Sequence, residues 1–202
     1  RHMLERGSGL RLDDLADGVA RVLPTPEPGT FFDVQVQTTD GRVDCCPPVF
    51  GEAIERCHRL FDETEQTRHD LLLIHKRDAW MHNSWFSNIE RMKARGRTNN
   101  PLGIAPADAE RLGLHDGDDV TVASAHGEIQ AVVEIDADLM DGVVSMVHGW
   151  GHSVSPRLRV AAANPGSNPN VLLPIGPDSF EPLSSQAHMT GIPVTVRALA
   201  RH

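Results

Sequence analysis

The chain has no apolar run approaching the roughly 20 residues that cross a bilayer, and its N-terminus lacks the basic-then-apolar layout of a secretory signal. No membrane contact is therefore expected. It also lacks a basic surplus: 19 Lys and Arg stand against 28 Asp and Glu, a formal charge of −9. Binding to a phosphate backbone requires a basic face, so nucleic acid is not an expected partner. Cysteine is sparse, with three residues. Two of them, Cys45 and Cys46, are neighbours that could bridge only with strain. No Cys-x-x-Cys pair occurs, so a disulfide framework is not expected and a reducing, cytoplasmic compartment fits better. Zinc would have to draw on Cys45, Cys46, Cys57 and His58, whose spacing does not match the paired short spacings of zinc sites, and no metal site is expected. No internal repeat stands out.

What is present is ordinary globular material, 202 residues with 40% apolar content, enough for one large domain or for one domain and an arm. Arg1-His2-Met3 reads as vector-derived residue ahead of a start, which makes the visible chain a piece of a longer protein. Residues 1–67 read as an extended α/β arm. Within it "GLRLDDLADG" suits a short helix and "PTPEPG" a break. "FFDVQVQTTDGRVDCCPP" suits a hairpin turning at Thr38-Asp40-Gly41. "VFGEAIERCHRLFDE" places Ile54, Cys57, Leu60 and Phe61 at helical spacing, and a polar "TEQTRHD" linker follows.

From residue 68 to 202 the pattern changes to short strands between tight turns. "DLLLIHK", "NPLGIAP", the two arms of "HDGDDVTVASAHGEIQAVVEID", "MDGVVSMVHGW" and "IPVTVRAL" read as strands, and "ADAERLGL" as a short helix stopped by Gly113. Many short strands with only short helices between them describe a mainly β fold, a closed barrel or a sandwich.

Behind the first strand lies an unusual polar crowd, "HKRDAWMHNSWFSN". Lys76 and Arg77 at a strand exit could pair with phosphate, Arg77 in bidentate fashion. Asn83 and Ser84 could satisfy the edge of a heterocycle or ribose, and Trp80 or Trp85 could cover a ring face. The competing reading is a polar exit with Trp85 and Phe86 as a small core anchor. The basic "ERMKARGR" that follows reads as a solvated helix end with Gly96 as its stop. Two further segments, "MVHGWGH" and "NPGSNPNVLLP", also end or follow strands with glycine, asparagine and proline. Three polar strand exits suggest a shared rim.

In order and spacing, "LLLIHKRDAWMHNSW", "GIAPADAERLGLHDGDDVTVASAHGEIQAVVEID", "MDGVVSMVHGWGH", "NPGSNPNVL" and "DSFEPLSSQAHMTGIPVTV" resemble the C-terminal cofactor-binding domain of the molybdopterin oxidoreductases, the dimethyl sulfoxide reductase and formate dehydrogenase superfamily. The resemblance implies a six-stranded double-psi β-barrel. It also implies a ligand, molybdopterin guanine dinucleotide, in two copies carrying molybdenum or tungsten in the parent enzyme. Carried onto this chain, the cofactor contacts fall at His75, Lys76, Arg77, Asn83 and Ser84, at His148 and Gly149, at Asn170, and at Gln186 and His188. The metal ligand and the iron–sulfur cysteines of that family belong to upstream domains, expected here as partners within the parent chain. No catalytic residue is expected in this stretch, nor turnover or firmly bound cofactor from the fragment alone. Two other uses of such a barrel are a protein-interaction module, as in some AAA-type ATPases, and a self-processing decarboxylase, for which Gly166-Ser167 offers the dipeptide.

Overall fold

The computed structural model describes residues 2–23, 27–66, 71–94, 96 and 98–199. It divides into two units, Arg1–Glu55 and Arg56–His202. The first contains helix α1 (His2–Ser8), a single 3-10 turn at Leu12–Leu15 where a short helix is expected, and helix α2 (Phe31–Gln35). The hairpin expected around Thr38 does not form. The turn itself is present, with the Gly41 N–H donating to the Thr38 carbonyl at 3.1 Å, but no strand flanks it among the described residues. Phe31, Phe32 and Val34 are exposed, so no buried face fixes a strand register, and the segment takes local helix instead.

Helix α3 (Gly51–Gln66) forms where the periodicity places it and runs on through Glu65 and Gln66, into the stretch read as linker. No Gly or Pro stands there to stop it. Positions 67–70 of that linker lie outside the described residues, as do 24–26 of the proline-rich break. Its Ile54, Leu60 and Phe61 are exposed, so this apolar stripe is not part of the barrel core.

The second unit is built on a closed barrel of six strands: β1 (Leu71–Lys76), β2 (Leu102–Ile104), β3 (Asp119–Ala123), β4 (Glu128–Ile135), β5 (Val143–Val147) and β6 (Ile192–Ala198), in the order β1-β5-β2-β4-β3-β6. β1 runs parallel to β5, and β2 parallel to β4; every other neighbour is antiparallel. Closure leaves no free edge. The expected mainly β, six-stranded barrel is thus the fold. Alternation drives it: Leu71 and Leu73, Val120 and Val122, Ala131 and Val133, Val144 and Met146, Ile192, Val194 and Val196 all turn inward and are buried. Apart from the small Ala131, each such side chain contributes on the order of 1.5–3 kcal/mol through removal from water.

Helix α4 (Pro106–Leu112) follows β2, with Pro106 at its first turn and Gly113, in the left-handed conformation (φ 66°), as its C-terminal stop. Its buried Asp108 accepts from Arg111 at 2.6 Å and from the Gly142 N–H at 2.6 Å, tying the helix to the entry of β5. Helix α5 (Arg159–Ala163) lies in the long connection between β5 and β6.

Strand directions gather the polar segments at one mouth. β1 and β5 are parallel and both exit there, at Lys76 and Val147. β6 is antiparallel to β1, with Leu73 opposite Ile192, so the residues just before Ile192 lie at the same end. β2 is antiparallel to β5, with Gly103 opposite Ser145, which brings Asn100 there too.

Candidate functional site

Side-chain parity splits the first predicted group. Leu73 and Met146 point into the core, so His75 and His148, two residues further along their strands, turn to the inside of the mouth. Lys76 turns the other way and pairs with Asp136, Nζ to Oδ2 at 3.4 Å, on the outer wall. The adjacency in "HK" is therefore separated in space: His75 belongs to the mouth, and Lys76 to an outward ion pair.

Beyond β1 the chain makes a tight turn in which two consecutive residues, His82 (φ 46°) and Asn83 (φ 60°), hold left-handed backbone. Non-glycine residues rarely do so, although Asn does so most readily, and such outliers gather where a site needs a particular side-chain direction. Here the turn directs the Asn83 Oδ1 to accept from Arg77 at 2.6 Å and to contact His148 Nε2 at 2.7 Å. His75 lies against His148, ring centroids 6.3 Å apart and 72° between planes, and its Nδ1 meets the Met189 carbonyl. Arg77, Asn83, His148 and His75 are thereby one connected group, and Met189 joins the 186–189 segment to it.

Gly149 is where backbone meets backbone. At φ 91° it packs so closely on the Asn83–Ser84 peptide that a Cβ would lie 2.1 Å from the Asn83 carbonyl oxygen. Gly151 packs likewise on Asn168, where a Cβ would come within 2.4 Å of that residue's Cβ. The glycines of "MVHGWGH" thus let the exit of β5 approach the first loop and the Asn/Pro loop closely.

The remaining predicted residues sit around this group without bonding to it. Ser84 is exposed. Asn170 is exposed, its N–H donating to Asn168 Oδ1 at 3.1 Å. Gln186 is exposed, and the N–H of half-buried His188 donates to the Ser179 carbonyl at 2.8 Å. Ser167, of the Gly-Ser pair, donates its hydroxyl to the Gln130 carbonyl and its N–H to Asn100 Oδ1.

Residues not singled out in the sequence hold the mouth together. Asn100 is buried and uses its whole amide: Nδ2 donates to the Val147 and Ser167 carbonyls at 2.8 and 2.9 Å, and Oδ1 accepts from Ser167 at 2.8 Å. It joins the exit of β5 to the Asn/Pro loop. Asn88 Oδ1 accepts from the Val160 and Ala161 N–H groups, fastening α5 to the first loop. Lys93 corrects the reading of "ERMKARGR". It belongs to a short 3-10 turn, is only 8% exposed, lies 4.1 Å over the Trp150 ring and donates to Met81 Sδ at 2.9 Å. Burial pushes its pKa down, and the Asp78 carboxylate partly opposes that. A long aliphatic stem and an aromatic face let this cation leave solvent. The anchor role expected of Trp85 falls instead to buried Met81, with Phe86 half-buried and Trp85 79% exposed. An aromatic at that spacing gave no signal of which ring turns inward.

The electrostatics of the mouth favour a neutral His148. Burial lowers its pKa, and Arg77 and His75 lower it further, against a smaller opposing effect of the Lys76 backbone. His75 Nε2, His148 Nδ1 and Trp150 Nε1 are buried without a hydrogen-bond partner within bonding geometry. No group of three or more His, Cys, Asp or Glu able to hold a metal ion occurs among the described residues. The site offers an exposed guanidinium, an amide and a glycine-lined backbone cradle. Such a set has the chemistry to pair with a polar, phosphorylated heterocycle by hydrogen bonds and charge.

A family model described as the Molydopterin dinucleotide binding domain matches residues 71–190. One of the tetrathionate reductase subunits of Salmonella typhimurium is 36% identical over 53 residues, which is 26% of this chain and 5% of that protein. Among solved structures, acetylene hydratase from Pelobacter acetylenicus superposes with a TM-score of 0.61 at 16% identity, over 94% of this chain and 28% of that one. At that identity the likeness is one of fold. The chain spans under a third of the acetylene hydratase chain and a twentieth of the tetrathionate reductase protein.

Proposed function

Because the chain belongs to the family of molydopterin dinucleotide binding domains, we propose that its barrel mouth grips molybdopterin guanine dinucleotide as the C-terminal domain of a molybdenum or tungsten oxidoreductase. The observation that carries this reading is the convergence of Arg77 and His148 on the Asn83 amide oxygen, in the residue whose backbone packs on Gly149. The residues fit the group. Arg77 has the fork geometry for a pyrophosphate oxygen, and the Asn83 amide suits the N–H and C=O edge of a pterin or guanine. The glycines leave room for backbone N–H groups to approach phosphate.

When bound in an enzyme, the metal of such a cofactor supplies two-electron redox chemistry. This chain's residues bind and orient it. Arg77 neutralises phosphate charge, Asn83 fixes the direction of both Arg77 and His148, and Gly149 sets the depth at which the first loop sits. The metal ligand, any iron–sulfur centre and the substrate funnel belong, in this reading, to upstream domains. The second copy of the cofactor and a cytoplasmic location belong to the same proposal. Lys76, turned outward to Asp136, is a weaker candidate for phosphate than Arg77, and Asn170, Gln186 and His188 would serve from the rim.

The test is cofactor retention. In the full-length oxidoreductase, Arg77→Ala and Asn83→Ala are each expected to lower the pterin that survives purification at least several-fold, read from the fluorescence of its oxidised derivative, while circular dichroism stays unchanged. Full retention in both variants would remove the grip from this mouth. It would favour the use of the barrel as a protein-interaction module.

A further inference from the structure

Hydrogen bonding fixes the tautomers of the two histidines in the mouth. A guanidinium can only donate, so the Asn83 atom facing Arg77 at 2.6 Å must be its oxygen. The same oxygen lies 2.7 Å from His148 Nε2, which must therefore carry a hydrogen. In a neutral ring this leaves His148 Nδ1 as a bare acceptor. His75 Nδ1 faces the Met189 carbonyl and must also carry its hydrogen, which leaves His75 Nε2 bare. Both bare atoms are buried with no partner, on rings 6.3 Å apart. The Lys76 backbone beside His148 can accept from this ring only through a protonated Nδ1, because Nε2 is already spent on Asn83, so a second proton would turn that bare atom into a useful donor.

In the ligand-free chain that proton is opposed. Burial, the Arg77 cation and His75 hold His148 in its neutral form against a smaller opposing effect of the Lys76 backbone, and Arg77 and His75 are the charged or titratable side chains acting on it. An anion seated on Arg77 cancels one of these influences and places negative charge beside His148, which favours the imidazolium.

We propose that His148, which shares the Asn83 oxygen with Arg77, couples the binding of a diphosphate at Arg77 to the uptake of one proton by the mouth. The inference rests on the reading that Arg77 faces the pyrophosphate of a dinucleotide. It adds that the site recognises this group more tightly as pH falls, approaching tenfold per pH unit between the free and the bound His148 pKa, as linkage of one proton requires. It also gives the unpartnered His148 Nδ1 a use: it is the atom to which the charge-compensating proton goes.

The probe is diguanosine diphosphate, whose phosphates are both esterified and hold constant charge across about pH 6 to 8. Titrated into this chain and followed by imidazole and guanidinium nitrogen resonances, it is expected to shift the Arg77 signal, raise the His148 midpoint and bind several-fold tighter at the acid end. Before ligand is added, His148 should show its hydrogen on Nε2 and His75 on Nδ1. His148→Gln, which keeps a donor toward Asn83 but cannot take up a proton, should lose most of the pH dependence whatever its effect on affinity. If the Arg77 signal responds while the His148 midpoint stays fixed, or if His148→Gln keeps the full pH dependence, the coupling is wrong and the cofactor reading stands. If neither residue responds at tens of millimolar probe, both fall together.

Discussion

Gly149 carries the tightest steric constraint in the mouth. A methyl group there would have to displace the Asn83 peptide, and its φ of 91° is one that side chains with a Cβ rarely adopt. Gly149→Ala is expected to cost about 1–3 kcal/mol or more, seen as an earlier urea midpoint. An unchanged midpoint would mean that the two backbones do not meet in solution. The sequence made this residue legible, because glycines directly after an apolar strand have few other uses. It did not make Lys93 legible. A basic run read by composition looks solvated, and only the folded chain brings Trp150 and Met81 to one of its members. The first-loop residues show the same limit in smaller form: His75 and Lys76 are neighbours in sequence and opposites across the barrel wall, a split that parity permits to be guessed only once the inward face of β1 is known.

At the scale of elements, the strands were readable because alternation and turn residues agreed with each other from β1 to β6. The hairpin around Thr38 was not, because alternation without a surface to bury it carries no force. Connections between elements rest on single polar residues. Asn100 joins β5 to the Asn/Pro loop through three bonds, so Asn100→Ala leaves the Ser167 N–H and two carbonyls to find other partners. With each buried unpaired group costing roughly 1–3 kcal/mol, the expected result is a clear drop in melting temperature and faster amide exchange at Ser167. Exchange at Ser167 as slow as in the parent chain would remove Asn100 from this role. Nothing in "TNNPLG" distinguishes Asn99 from Asn100; the distinction arises from which one the start of β2 turns inward.

For the whole molecule, acidity should matter in two windows. His148 has a lowered pKa, so the unfolded chain takes up a proton there first, and stability should begin to fall as pH drops below the ordinary histidine value of 6.5. Glu181 is held at about 2, chiefly by the Ser184 N–H, with help from the Leu183 N–H, the Ser184 hydroxyl and Arg56. Its contribution is complete above the ordinary 4.5 and is lost as pH falls toward 2. Urea midpoints across this range should decline in both windows, and His148→Gln should flatten the upper one alone; a decline that persists in that variant would assign it to another group. The sequence by itself determined a mainly β fold, a barrel or a sandwich, from local periodicity and from turn residues whose chemistry is local, while the six-stranded barrel and the family were implied by its resemblance to the molybdopterin oxidoreductases. It also determined that Arg77, Asn83, His148 and Gly149 were candidates. Which of the candidates meet, that His75 looks in and Lys76 out, that Lys93 is buried and Trp85 is not, was decided only by the tertiary structure, because closure of the barrel sets which face of each strand is inside and brings together residues some 65 positions apart, as in the bond between Asn83 and His148.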